Sequence, residues 1–181
     1  MTGHFASRVV FAASVAAFAV IGGWRYEADA KTLRAAAAAP IYGVTLPKGY
    51  RDWKLISVAH EAGNNNDIRA ILANDVAFKA FREDRRPFPD GSMIVRLAWR
   101  YQSSPRNDAV FPAPQSFIAG DPTNVQVSVK NSGRWAASGG WGFAQFDGGK
   151  PNQDVKLTQS CAACHAKLDA ASDMVFTHWS R

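Results

Sequence analysis

The sequence predicts an α+β fold, mainly β: an antiparallel sheet followed by a C-terminal helical segment. Three observations carry this. Strand-type stretches recur between Trp53 and Phe146, one of them in strict alternation. Clusters of Gly, Pro, Asn and Asp separate them. The clearest helical stretch, Leu157 to about Ala171, comes after the last strand. Strands first and a helix last suit a sheet with helices packed at one side.

Leu46-Pro47-Lys48-Gly49-Tyr50 forms a turn into the first ordered element. Trp53 to Ala59 is apolar and β-branched enough for a strand, and 63–67 is a loop. Ile68 to Ala73 is a second strand. Asn74 or Asp75 caps a short helix to about Arg82, with Val76, Phe78 and Phe81 expected to be buried. A tight turn at 87–91 leads to Ser92–Tyr101, where Val95, Leu97 and Trp99 alternate with Arg96, Ala98 and Arg100. Residues 102–114, with three prolines, read as a loop. Asn124 to Lys130 alternates strictly, placing Val125, Val127 and Val129 on one face and Gln126, Ser128 and Lys130 on the other. Gly139 to Phe146 is a strand that starts on glycines.

The chain has 181 residues, 47% of them hydrophobic and 20% charged, which excludes a disordered class. Six tryptophans and eleven phenylalanines suit a packed core, and they also suit the lining of a flat macrocycle. The net charge is +6, but the basic residues are scattered, so nucleic acid is not expected as a partner. Docking to an acidic redox protein fits that charge better.

The N-terminus reads as an address. Arg8 precedes an uncharged run from Val9 to Ile21, and Ala28-Asp29-Ala30 resembles a cleavage site. Residues 1–30 are therefore expected to be a signal peptide, 31–45 a tether and 46–181 the domain. The apolar run is shorter than the roughly 20 residues of a membrane span. The alternative is an uncleaved anchor with Trp24 and Tyr26 at the interface. Either way the domain is delivered outside the cytoplasm, and the periplasm is the expected location.

The two cysteines exclude a disulfide framework and a four-ligand zinc ribbon. They lie in Cys161-Ala162-Ala163-Cys164-His165, the C-x-x-C-H pattern of covalent haem attachment. One helical turn between the cysteines lets both reach the vinyl groups on one porphyrin edge. The next residue then places an imidazole beneath the iron. One haem c per chain is expected, attached through Cys161 and Cys164, with His165 as an axial iron ligand. The competing reading is a redox-active cysteine pair.

Electron-transfer cytochromes c usually add Met or His on the second axial side. The candidates are Met93, Met174, His60 and His178. Met174 and His178 follow His165 too closely to wrap around easily, Met93 sits in a strand, and His60 sits at a strand end. A five-coordinate, open iron is therefore expected. Phe78, Phe81, Phe111 and Phe117 are candidates for an apolar distal cap.

LPKGYRDW (46–53), FPDG with the strand after it (88–97), VQVSVKNSGRW (125–135), GGWGFAQF (139–146), and CAACH followed by DMVFTHW (173–179) together resemble the cytochrome P-460 family, including cytochrome c′-beta proteins. The resemblance implies an antiparallel β fold, a C-terminal five-coordinate haem c, a distal pocket on the sheet and a homodimer. It also implies hydroxylamine oxidation or the binding of gases such as nitric oxide and carbon monoxide. The oxidising members carry a lysine that cross-links to the porphyrin, and the matching position here is Arg96. They also carry a distal carboxylate, matched here by Gln126. Arginine is a poor nucleophile and glutamine cannot act as a base. The other reading of both positions is solvent-exposed polar residues on a half-buried strand. The leading expectation is a protein that binds a small gaseous or nitrogen-oxide ligand. Oxidation of hydroxylamine or a related nitrogen compound is the alternative, and simple electron transfer the second.

Overall fold

The computed structural model describes Met1 and residues 37–180. The expected signal peptide and the first part of the tether lie outside the described residues. Six strands follow one another in space as in sequence: β1 (Lys54–Glu61), β2 (Asp67–Ala73), β3 (Met93–Ser103), β4 (Phe117–Lys130), β5 (Trp141–Asp147) and β6 (Lys150–Pro151). Each is antiparallel to the next. Helix α1 (Asp75–Arg82) joins β2 to β3, α2 (Pro105–Asp108) lies between β3 and β4, and α3 (Val155–His165) follows the sheet.

The register sorts side chains into two faces, because successive strand residues point opposite ways. Leu72, Val95, Val127 and Ala144 form one cross-strand row, and Ile71, Arg96, Gln126 and Gln145 form a row on the opposite face. The first face is covered by the chain entering the sheet. Ala39 and Val44 are buried there, with Leu46, Tyr50 and Trp53 beside them. The stretch read as a tether thus joins the core from Ala39 onward. The second face carries α1, α3 and the C-terminal segment over Ile71, Ile94, Trp141 and Phe143.

The alternation in Ser92–Tyr101 is present, but its second face is not simply polar and wet. Ile94 and Ala98 are buried on it. Helix α1 forms where expected. The Asn74 side-chain Oδ1 accepts from Ala77 N–H at 3.0 Å, satisfying a free donor of the first turn. Its inward residues are Ala77, Ala80 and Phe81, while Val76 is exposed and Phe78 half-buried. The i, i+3, i+4 spacing of 77, 80 and 81 selects two alanines that let the helix lie close to the sheet.

Residues 102–114 are less irregular than their prolines suggest. β3 runs on to Ser103, and α2 starts with Pro105 in its first turn, where a missing N–H costs nothing. β4 begins at Phe117, before the expected Asn124. Gly120 and Pro122 hide that extension, and the β3–β4 register shifts where Trp99 meets Pro122. Helix α3 ends at His165, short of Ala171, and a single 3-10 turn at Ala170–Ser172 is capped by Asp169. Among the described residues no helix is long and apolar enough to cross a membrane.

Candidate functional site

Helix α3 is capped at its N-terminus by Asp154, whose carboxylate accepts from Lys156 N–H at 2.8 Å and Leu157 N–H at 3.2 Å. The i, i+3, i+4 spacing puts Cys161, Cys164 and His165 on one side of this helix. Both thiols are free, Cys161 half-buried and Cys164 exposed. Burial pushes the Cys161 thiol up, and the charge of Arg96 acts in the opposite direction.

The His165 ring lies between Phe143 and Phe176, with centroids 4.8 and 4.9 Å away. Its Nδ1 is 2.6 Å from the Met174 carbonyl oxygen. A carbonyl only accepts, so Nδ1 carries the hydrogen and Nε2 keeps its lone pair. Burial holds the imidazole below its ordinary pKa, partly opposed by this hydrogen bond. Among the described residues no three His, Cys, Asp or Glu side chains converge on a metal position. A single neutral imidazole beside two free thiols fits a metal already held by a macrocycle with reactive vinyl groups.

The Met174 carbonyl is itself held in place. Asp173 and Met174 have φ of 48° and 62°, a region that non-glycine residues occupy at a cost. The Asp173 carboxylate accepts from Phe88 N–H at 2.7 Å and from Lys130 Nζ at 2.6 Å. Lys130 is only 4% exposed. It also donates to the Gly139 carbonyl at 3.0 Å and lies 5.1 Å from the Trp141 ring centroid. The alternation of 124–130 correctly places Lys130 on the face of Gln126, but it does not reveal that the end of that face is sealed.

The sheet face shared with His165's neighbour Phe143 carries a polar row. Arg96 and Gln126 are directly opposed on β3 and β4, and Gln126 Nε2 donates to Gln145 Oε1 at 2.9 Å. Both expected distal residues are therefore half-buried on one face, not free in solvent. Arg96 donates to Asp67 Oδ2 at 2.6 Å and Asn124 Oδ1 at 3.1 Å, while its buried Nε has no hydrogen-bond partner. Burial lowers its pKa most, and Asp67 works against that. Asp67 is 4% exposed and also accepts from Arg69 Nε at 2.8 Å. Arg69 in turn pairs with Glu61.

Sequence reasoning did not single out Asp67, a carboxylate that stands on this face and comes from β2. The alternation of Asp67, Arg69 and Ile71 places them on one strand face but does not show that the carboxylate is buried. Reading Asp67 as the end of a loop concealed it.

The four candidates for a second axial ligand do not gather on the Arg96 face. Met93 pairs with Val129 on the opposite face. His60 pairs with Ile68, also on that opposite face, stacks on Tyr101 at 3.8 Å and hydrogen-bonds Asn66. The Met174 side chain packs on Gly139, and His178 is exposed. The phenylalanines also divide. Phe81 packs on Phe88, Phe78 on Trp179 and Phe117 on Tyr101, and Phe111 is exposed. The aromatic neighbours of His165 are Phe143 and Phe176. A groove of about 450 Å³ runs along α3, lined by Ala162, Ala163, Ala166 and Met174 among others. Tyr42, Ser138 and Gly139 form its other wall.

No curated protein matches the chain. A family model described as Cytochrome P460 matches residues 47–177, which takes in the whole sheet, the Arg96–Asp67 pair, α3 and the Asp173–Met174 turn. The family is one of haem proteins, in accord with the lone imidazole and the paired thiols, and the chain belongs to the cytochrome P460 family.

Proposed function

We propose that the protein is a periplasmic, mono-haem c-type cytochrome that keeps one axial position of its iron open for a small ligand such as nitric oxide or carbon monoxide. Haem is attached through Cys161 and Cys164, and His165 Nε2 is the axial ligand. Cys161 and Cys164 are the two thiols that would hold the group through thioether bonds. The bound group supplies a Lewis-acidic, redox-active iron.

The chain's own residues do the rest. Met174 fixes the imidazole tautomer, Phe143 and Phe176 fix its plane, and Arg96 with Gln126 presents polar groups on the neighbouring sheet face. The observation that carries the reading is the His165–Met174 hydrogen bond, which leaves Nε2 free beside the two thiols. Optical spectra of the haem-loaded protein, oxidised, reduced and then exposed to carbon monoxide, test it. A high-spin c-type spectrum that shifts with carbon monoxide is expected. A low-spin reduced spectrum unmoved by carbon monoxide overturns the open position and favours an electron carrier.

A second reading, oxidation of hydroxylamine or a related nitrogen compound, is favoured by one observation. Asp67 puts a buried carboxylate beside Arg96, where a proton acceptor could act. Turnover of hydroxylamine with an electron acceptor, lost in Asp67→Asn while carbon monoxide still binds, would establish it. No turnover by fully loaded protein would reject it.

The proposal includes a homodimer and a weakly docking redox partner. Exposed Val58, Phe117 and Ile118 supply apolar surface for the first, and the +6 charge suits an acidic partner for the second. Sedimentation of the haem-loaded protein tests the dimer, and the salt dependence of reduction by an acidic donor tests the docking.

A further inference from the structure

We propose that Lys130 is a positioning residue for the axial imidazole, acting through Asp173 and the Met174 carbonyl. This rests on His165 being the iron ligand. Two hydrogen bonds, joined by the peptide step from Asp173 to Met174, make the connection, and two more brace it. Lys130 Nζ donates to Asp173 Oδ1 at 2.6 Å, and Asp173 Oδ2 accepts from Phe88 N–H at 2.7 Å. The carboxylate is gripped from both sides, by the end of β4 and by the segment before β3. The next residue's carbonyl accepts from His165 Nδ1 at 2.6 Å. Lys130 also donates to the Gly139 carbonyl, so the same ammonium ties down the chain against which the Met174 side chain packs.

Two features separate this from an ordinary stabilising ion pair. A buried pair seldom stabilises a fold more than an apolar pair of the same shape, because desolvation offsets the attraction. What such a pair does provide is a defined geometry. The Asp173–Met174 turn has two consecutive left-handed residues, neither of them glycine. A turn of that kind keeps one conformation only where its surroundings over-determine it. The Asp173 carboxylate is the side-chain anchor within it, and Lys130 is the charge that anchors the carboxylate. Partners beyond the first contact set the orientation and basicity of a ligating histidine.

The test uses the haem-loaded, reduced, full-length protein and reads the iron–histidine stretching band by resonance Raman, together with the thermal midpoint. Asp173→Asn keeps an acceptor for Phe88 N–H and removes the charge opposite Lys130. Should that variant fail to fold, Lys130→Met with Asp173→Asn leaves no unpaired buried charge. Asp108→Ala, which removes the acceptor of the Gln115 and Ser116 N–H groups between β3 and β4, serves as a control of lowered stability outside the Lys130–Asp173 set of bonds. The band is expected to shift or split in the charge variants and to stay in place in the control at a similar loss of midpoint. A band unmoved in the charge variants, with only the midpoint lowered, overturns the positioning role while leaving His165 as ligand. Absence of any such band in the unsubstituted protein overturns both.

Discussion

Arg96 Nη2 and Asp67 Oδ2 lie 2.6 Å apart, although the register sets Arg96 opposite Ile71 and Asp67 opposite Arg100. The guanidinium therefore leans along its sheet face, past Arg69, to reach the carboxylate. Asp67 is then engaged by two guanidinium groups from two strands.

The first prediction concerns that reach. Arg96→Met retains much of the side-chain volume and leaves Asp67 with Arg69 alone. Loss of a buried, charge-assisted hydrogen bond costs about 2 kcal/mol, so denaturant unfolding should give a stability lower by that amount, read as a lower midpoint at unchanged slope. Asp67→Asn should cost at least as much, because Arg96 and Arg69 then face each other without a carboxylate between them. An Arg96→Met protein as stable as the original would show the pair to be energetically idle.

The second concerns attachment. Cys161→Ala or Cys164→Ala alone should leave one thioether, so haem stays with the chain on a denaturing gel while the pyridine haemochrome band moves to longer wavelength. The double substitution should release haem under denaturation. Retention of haem by the double variant would mean that a further bond holds it, and Arg96 would be the first residue to examine.

How much of this was legible beforehand varied with the kind of signal. The α+β class and the antiparallel strands followed from alternation and turn residues, which act locally. The polar row of Arg96 and Gln126 was also within reach, because both sit at definite positions in alternating stretches. Asp67 and Lys130 were not. Their importance comes from what closes over them: the second guanidinium in one case, and Asp173, Gly139 and Trp141 in the other. These partners lie from 2 to 43 residues away in sequence. The long β4 was missed for the converse reason, since Gly120 and Pro122 are local breakers that tertiary pairing overrides.

The third prediction concerns Asn74, the residue that seats α1. Besides capping Ala77, its side-chain oxygen accepts from Met93 N–H at 3.0 Å and its amide donates to the Gly91 carbonyl at 2.9 Å. An N-cap alone is worth about 1 kcal/mol. With two further backbone partners lost, Asn74→Ala should cost about 2–3 kcal/mol. Asn74→Asp keeps the acceptor and loses the donor, so it should fall between the two. The measurement is the denaturant midpoint of the two variants at unchanged slope. Equal stabilities of the Ala and Asp variants would show that the oxygen contributes nothing.

The last prediction tests packing on the face away from the polar row. A Cβ on Gly142 would lie 2.7 Å from the Trp135 ring atoms Cε2 and Cζ2, closer than carbon atoms approach. Trp135 cannot withdraw freely, because its ring packs against Tyr42 with centroids 6.2 Å apart. Gly142→Ala must therefore push the indole off the sheet, and overpacking of this kind costs about 1–3 kcal/mol. Removing the indole should relieve the clash. Trp135→Leu will be destabilising by itself, yet Gly142→Ala added to it should cost markedly less than in the original background. A thermodynamic cycle over the four proteins measures that coupling. Additive effects would mean that the strand backbone, and not Trp135, absorbs the extra methyl group.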